Sequence, residues 1–155
     1  MTPKQKETLQ KYFKGALTGP QTEEMLYQKL KTIGFTAENT LYADCSCPDE
    51  INHDDPEEDI TSLMHTRWGE MFPLGGLAGL PFTGKTGWGA FSSHCPADGN
   101  IVVMFAPHVG VDCNGNIGKV TREGQSFASS ACGAAIGALG AVAADTNETK
   151  FLNGY

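Results

Sequence analysis

The chain has 155 residues, a formal net charge of −7 and 40% hydrophobic residues. This length supports a single domain with its own core. Arg67 and Arg122 are its two arginines, so a basic face for nucleic acid is lacking. The sequence has neither an apolar run of about eighteen residues nor a signal-peptide pattern. We therefore expect a cytoplasmic protein, with association with an organelle or compartment left open. Five cysteines then fit reduced thiols at a metal or redox site better than a disulfide framework.

The first 36 residues are predicted to form an N-terminal helical segment. A lysine-rich surface helix over 2–14 begins at Thr2-Pro3, where a threonine precedes a proline. A second helix opens at Thr22, with its apolar residues on one side. Gly34 is predicted to end that helix, because glycine suits the position just after a helix terminus.

The middle of the chain contains the strongest strand signals. Residues 41–45 and 101–106 are apolar runs stopped by polar residues and proline, which is typical of buried strands. A helix is predicted to follow the first strand and to end near Trp68. Residues 72–91 are rich in glycine and predict irregular loop. A short strand is predicted over 117–120, after a turn.

The C-terminal part predicts one more helix, over 127–144, despite the glycines at 133, 137 and 140. Strands that alternate with helices predict an α/β fold with a mostly parallel central sheet flanked by helices. The sequence contains no internal repeat and no linker that would divide it. Residues 1–155 are therefore predicted to form one domain.

Three short segments carry the residues of a predicted metal site. They are Leu41–Asp49, Ile101–His108 and Ser129–Ala135, and each places a thiol or an imidazole near the end of a predicted element. Two thiolates and one imidazole fill three tetrahedral positions around zinc and leave the fourth for water. At a helix start, the Cys132 thiol would also be acidified by the helix dipole.

Other assignments of these residues stay open at this point. Cys45 and Cys47 are both candidate ligands, but they are also consistent with idle buried thiols, and a redox pair is a further option. His108 alone is consistent with a structural role. His94 and Cys95 have ligand-like spacing but no strand before them, and Cys113 lies in a turn.

Residues Gly79–Thr86 match the formal P-loop pattern. That site needs a preceding strand and a following helix, so that backbone amides and the helix dipole bind phosphate. Residues 73–77 predict a poor strand, Gly87 and its neighbours predict a poor helix, and Pro81 removes an amide donor. We therefore predict that the segment does not bind nucleotide.

Four stretches between about Leu41 and Gly140 resemble a known family. They are CPDEIN at 47–52, GGLAGLPFTGKTGWGAFSSH at 75–94, APHVG at 106–110 and ACGA at 131–134. The chain resembles the limiting-CO2-inducible B proteins, a beta-carbonic-anhydrase-like group also called theta-type. The long glycine-rich run makes this resemblance specific.

The resemblance implies a beta-carbonic-anhydrase-like fold and a zinc enzyme that hydrates CO2 reversibly to bicarbonate and a proton. It places the zinc ligands on Cys47, His108 and Cys132, with Asp49 as the carboxylate beside the zinc water. It also implies a homodimer. The first alternative is a catalytically silent, zinc-binding relative that acts as a binding protein, and the second is a P-loop nucleotide-binding protein.

One departure from ordinary beta-carbonic anhydrases concerns the arginine that pairs with the aspartate. Those enzymes carry it two residues after the aspartate, where this chain has Ile51. An arginine from elsewhere must then hold Asp49 off the metal. Arg67 is predicted for this role because it is closer in sequence, and Arg122 is the second choice.

Overall fold

The computed structural model describes residues 1–49, 55–76, 79 and 84–132. Within them the elements follow in the order α1 (Pro3–Tyr12), α2 (Gly19–Thr32), β1 (Thr40–Ser46), α3 (Ile60–Trp68), β2 (Met71–Pro73), α4 (Gly84–Ser92), β3 (Asn100–Ala106), β4 (Lys119–Val120) and β5 (Ser129–Ser130). The predicted α/β class is confirmed. Among the described helices, none is long and apolar enough to cross a membrane.

The first two helices begin with the same local motif. Thr2 and Thr18 are N-caps, and each forms a capping box with a glutamine three residues later. Such a box pairs backbone amides that the first turn leaves without partners. The cap at Thr18 starts α2 three residues before the predicted start at Thr22. Gly34 lies just beyond the helix with φ of +90°, so the predicted stop is confirmed.

Three strands form a parallel sheet in the order β2-β1-β3. This confirms the predicted parallel sheet, and its central strand, β1, is covered on both faces. On one face Ala43 and Cys45 pack in a cluster with Phe91, and on the other Tyr42 packs with Met64. Burial on both faces explains why consecutive positions 41–43 of β1 are apolar.

The register of the sheet decides where the strands end. Ser46, the last residue of β1, lies opposite Ala106, the last residue of β3. Because the two strands are parallel, the residues that follow them leave the sheet at the same edge. The β4 and β5 strands form a separate antiparallel pair, in which Lys119 lies opposite Ser130.

The secondary structure predicted for two segments is wrong. Residues 72–91 are not all irregular, because β2 begins at Met71 and α4 spans Gly84–Ser92. Phe91 is fully buried and its ring lies 5.3 Å from that of Phe72, so core packing outweighs the poor helix propensity of glycine. The helix predicted over 127–144 is absent from residues 127–132, which contain β5. The rest of that predicted helix lies outside the described residues.

Candidate metal centre

Three side chains that are far apart in the sequence meet at one point. The sulfur atoms of Cys47 and Cys132 and a ring nitrogen of His108 all lie within 4.8 Å of one another. The two cysteines are buried, and His108 is half-buried. The structure therefore brings together the three residues that the family resemblance indicated.

The parallel sheet positions two of these residues. Cys47 follows the last residue of β1, and His108 follows β3 after a single proline. Since Ser46 and Ala106 are opposite each other, both side chains emerge at one edge of the sheet. Parallel sheets commonly place functional residues at the carboxyl ends of their strands.

The third residue, Cys132, arrives from the small antiparallel pair. It lies in a turn two residues beyond Ser130, the end of β5, and the amide of Ala131 donates to the carbonyl of Gly118 at 3.0 Å. Cys132 has φ of +50°, a left-handed conformation that is uncommon for residues other than glycine. The predicted acidification of its thiol by a helix start finds no support in the described residues, because Cys132 follows a strand.

The donor set suits a zinc ion. Two sulfur donors and one imidazole are typical of catalytic zinc sites with three protein ligands. In addition, Nε2 of His108 is buried and has no hydrogen-bond partner among the residues that the structure describes, an arrangement that costs free energy unless something binds the nitrogen. The residues present therefore fit a metal ion that binds at this point.

The other candidate ligands lie elsewhere. Cys45 is buried in the apolar cluster of Ala43, Leu74 and Phe91, and burial, followed by the nearby Asp44 carboxylate, raises the pKa of its thiol. His94 packs edge-on against Phe72, with ring centroids 5.3 Å apart. Cys95 donates to the carbonyl of Asn100, and Cys113 is exposed. Among the described residues, none of these four side chains belongs to the group formed by Cys47, His108 and Cys132.

Asp49 is paired with Arg122. Nη2 of Arg122 donates to both carboxylate oxygens of Asp49 at 3.0 Å, and its Nη1 donates to Oγ of Ser129 at 2.8 Å. Asp49 is only two residues beyond Cys47, while Ser129 is three residues before Cys132. Arg122 thus links the segment that carries Cys47 to the segment that carries Cys132.

The predicted pairing of Arg67 with Asp49 is wrong. Arg67 instead donates from Nε and Nη2 to the carboxylate of Glu23, and from Nη2 to Glu24. Its guanidinium also lies 4.2 Å from the ring centroid of Tyr27. The hydrogen bond with Glu23 is the main reason that the pKa of Arg67 is raised. Arg67 fastens α3 to α2, so its closeness to Asp49 in sequence was misleading.

A cavity of about 250 Å³ adjoins the cluster. Cys47 and His108 contribute to its wall, together with the apolar side chains of Ile60, Ala106 and Pro107. Asp59 also faces it, but this carboxylate caps α3 by accepting from the amides of Thr61 and Ser62. Ser46, Glu58 and Thr61 line it as well, so the cavity combines apolar and polar side chains with two of the three candidate metal ligands.

The P-loop-like segment is explained in part by packing. A Cβ atom on Gly79 would lie 2.5 Å from the carbonyl oxygen of Ala106 and 2.9 Å from that of Cys45. Gly79 thus allows the chain to pass close to the ends of β1 and β3. Contrary to the prediction of a poor helix after this segment, α4 begins at Gly84. Residues 80–83 lie outside the described part. The absence of nucleotide binding stays a prediction.

A family described as limiting CO2-inducible proteins B/C beta carbonic anhydrases matches residues 16–153. The chain belongs to this family. The match covers nearly the whole sequence, including all three clustered residues, Asp49 and Arg122. A comparison with curated proteins found no match.

Solved structures of the protein PtLCIB4 are similar to this structure over most of the chain. PtLCIB4, a homolog of the limiting CO2-inducible protein LCIB, is 33% identical with a TM-score of 0.77, over 94% of this chain and 61% of that one. A histidine-to-alanine mutant of PtLCIB4 is 33% identical with a TM-score of 0.79, over 90% of this chain and 56% of that one. A serine-to-arginine mutant is 31% identical with a TM-score of 0.74, over 95% of this chain and 62% of that one. This chain thus spans about three fifths of the length of these relatives.

Proposed function

We propose that this protein binds one zinc ion through Cys47, His108 and Cys132 and catalyses the reversible hydration of CO2 to bicarbonate and a proton. The observation that carries the proposal is the convergence of two thiols and one imidazole within 4.8 Å. Membership of a family described as beta carbonic anhydrases supports the reaction.

The ion would act as a Lewis acid that brings the pKa of a water molecule toward neutrality. The protein supplies orientation and charge. Asp49 accepts a hydrogen bond from the attacking water and orients its lone pair toward CO2. Arg122 keeps Asp49 in this role, because a carboxylate that already accepts two hydrogen bonds from a guanidinium is less free to turn toward a cation.

The cavity beside the cluster is the proposed entry site for CO2. Its apolar contributors Ile60, Ala106 and Pro107 suit a small substrate without charge. Cys47 and His108 lie on the same wall, so a molecule in the cavity would be next to the proposed metal. Bicarbonate, which carries a charge, would be held less well by the apolar part of this wall and would leave.

The decisive experiment measures metal content and activity on the same preparation. Elemental analysis should find about one zinc per chain, and stopped-flow measurement should detect CO2 hydration above the buffer rate. Removing zinc with a chelator should abolish the activity, and adding zinc back should restore it. Zinc without hydration would identify the silent zinc-binding relative, and protein without zinc would reject the proposal altogether.

The proposal includes a homodimer, as the family resemblance implies. Light scattering on the purified protein should give about twice the 16.5 kDa chain mass. A monomer with full activity would remove the dimer from the proposal without affecting the metal site. A cytoplasmic location is likewise proposed and can be checked by imaging a tagged full-length chain.

A further inference from the structure

A hairpin directly after His108 links the parts of the proposed metal centre. We call residues 109–118 the His108 hairpin. Val111 forms an antiparallel bridge with Ile117, and the amide of Gly118 donates to the carbonyl of Gly110 at 2.8 Å. The buried Asp112 carboxylate holds the turn by accepting from Asn114 and Asn116. The hairpin is therefore a defined structure and not a loose loop.

The His108 hairpin also contacts the strand that carries Cys132. The carbonyl of Gly118 accepts from the amide of Ala131 at 3.0 Å. A Cβ atom on Gly110 would lie 2.5 Å from the Cβ of Ala131, so Gly110 packs directly against the Ala131 side chain. At its other end the hairpin continues into β4 and then to Arg122. A shift of the hairpin would thus be transmitted to His108, Cys132 and Arg122.

The N-terminal helix holds this hairpin from outside. Nε2 of Gln5 donates to the carbonyl of Val111 at 2.8 Å, and Oγ1 of Thr8 donates to that of Gly115 at 2.9 Å. Oγ1 of Thr2 donates to the carbonyl of Cys113 at 2.9 Å. Because a Cβ on Gly115 would lie 2.7 Å from Oγ1 of Thr8, helix and hairpin touch closely.

Polar contacts dominate this attachment. The helix α1 has no buried residue, so apolar burial contributes little to its position. The family match begins at residue 16, so α1 precedes the matched segment. Gln5 and Thr8, three residues apart, share one face of α1, and together with the N-cap Thr2 they all donate to the same hairpin.

We propose that α1 is a positioning element of the metal centre, in which Gln5 and Thr8 act through the His108 hairpin on His108, Cys132 and Arg122. The part of this inference that concerns metal binding rests on the proposed function. The effect of α1 on the His108 hairpin and on the strand that carries Cys132 can be measured in metal-free protein. Loosening α1 should therefore weaken metal binding even though no residue of α1 is a ligand.

The test variant is Gln5→Glu combined with Thr8→Val. Glutamate at position 5 still accepts from the amide of Thr2 and so keeps the capping box, but it loses the donor to Val111 and places a carboxylate against a carbonyl. Valine has the shape of threonine without its hydroxyl. The matched control is Gln21→Glu combined with Thr22→Val in α2, where Gln21 holds the same capping position as Gln5 and Thr22 is the next residue.

Two measurements decide the matter. Hydrogen exchange at the amides of Gly118 and Ala131, in metal-free protein, should be about tenfold faster in the test variant than in wild type. Competition with a chromophoric chelator should show zinc binding weakened by about tenfold, as for other outer-shell changes at metal sites. The control variant should match wild type in both exchange rate and zinc affinity. The variant Thr8→Ser, with the wild-type Gln5, keeps a hydroxyl at position 8 and should retain most of the zinc affinity.

The outcomes separate this inference from the proposed function. Unchanged exchange at Ala131 would overturn the positioning role, whether or not the protein binds zinc. Faster exchange with unchanged zinc affinity would also overturn it, because the hairpin would then move without affecting the centre. If wild-type protein binds no zinc, the proposed function fails, and exchange at Ala131 still decides whether α1 positions the Cys132 strand.

Discussion

Arg122 donates from one nitrogen, Nη2, to both carboxylate oxygens of Asp49, at 3.0 Å each. Its second terminal nitrogen is occupied by Ser129. The two side chains are only 24% and 13% exposed, so the pair is less screened by water than an ordinary surface salt bridge. This geometry gives Asp49 a defined orientation beside Cys47 and leads directly to the first two predictions.

Replacing Arg122 by alanine should preserve zinc binding but remove most of the activity. Without the guanidinium, Asp49 is expected to turn toward the metal and to take the place of the water. The hydration rate should fall by about 10²–10³, as for the loss of a preorganised electrostatic contact. Zinc analysis, stopped-flow kinetics and a crystal structure of the variant would measure the three consequences.

Arg67→Ala is the matched control for that variant. It removes the other arginine, whose partners are Glu23 and Glu24. Loss of the bond to the buried Glu23 should lower stability by about 1–2 kcal/mol, because Arg67 is itself partly exposed. Its activity at a temperature where it is folded should equal that of wild type. Equal loss of activity in both arginine variants would contradict the specific role of Arg122.

Asp49→Asn tests the carboxylate itself. The amide has nearly the same shape, but it lacks the charge that attracts Arg122 and presents a donor on one side. We expect zinc content near wild type and a fall in hydration rate of about 10²–10³. A variant that binds zinc and hydrates CO2 at the wild-type rate would remove Asp49 from the mechanism.

Alanine replacement of each clustered residue tests the ligand set. Cys47→Ala, His108→Ala and Cys132→Ala should each lower zinc content steeply, since two remaining ligands bind the ion far less well than three. Cys95→Ala and Cys113→Ala are controls for the loss of a thiol, and both should keep about one zinc per chain. The ligand set is wrong if a control variant loses the metal and Cys132→Ala retains it.

The turn of the His108 hairpin should depend on pH through Asp112. Asn116 donates hydrogen bonds to Asp112 from its side chain, which has the larger effect, and from its backbone N–H. These bonds lower the pKa of Asp112 from its ordinary value of 3.8. A lowered pKa in the folded state stabilises the protein above the ordinary value, and this contribution is lost as the pH falls through the folded-state pKa.

Asp112→Asn should therefore lower the melting temperature at pH 7, where the carboxylate of the wild type is fully charged. The difference from wild type should shrink as the pH falls below about 4. Asp98→Asn, in an exposed turn, controls for the removal of one negative charge. A difference between Asp112→Asn and wild type that stays constant from pH 7 to pH 3.5 would refute the role of the charged form.

Much of the candidate site could be read from local patterns. The apolar runs 41–45 and 101–106 predict two strands, of which β3 is only partly buried, and parallel strands bring Cys47 and His108 to one edge. The choice between Cys45 and Cys47 depended on the register and burial of β1. Cys45 points into the cluster with Phe91, a fact that spacing alone does not determine.

The arginine could not be assigned in this way. Closeness in sequence favoured Arg67, but α3 directs that side chain to Glu23 on α2. Arg122 is 73 residues from Asp49 and reaches it because β4 pairs with β5. The same pairing positions Cys132, whose surroundings were predicted as a helix. Sequence patterns gave no signal for the contact of α1 with the hairpin, since its side chains resemble those of any polar surface helix.

The sequence by itself determined the chemistry that is available: two thiols, one imidazole and one carboxylate near the ends of short elements, in a chain with two arginines. These properties depend on residue type and local periodicity, which are visible along the chain. Only the tertiary structure decided which arginine holds Asp49, how Cys132 joins the other two donors and why Gly79 is glycine. These depend on contacts between segments that are distant in sequence, where packing of the whole core, and not local propensity, sets the position of each backbone.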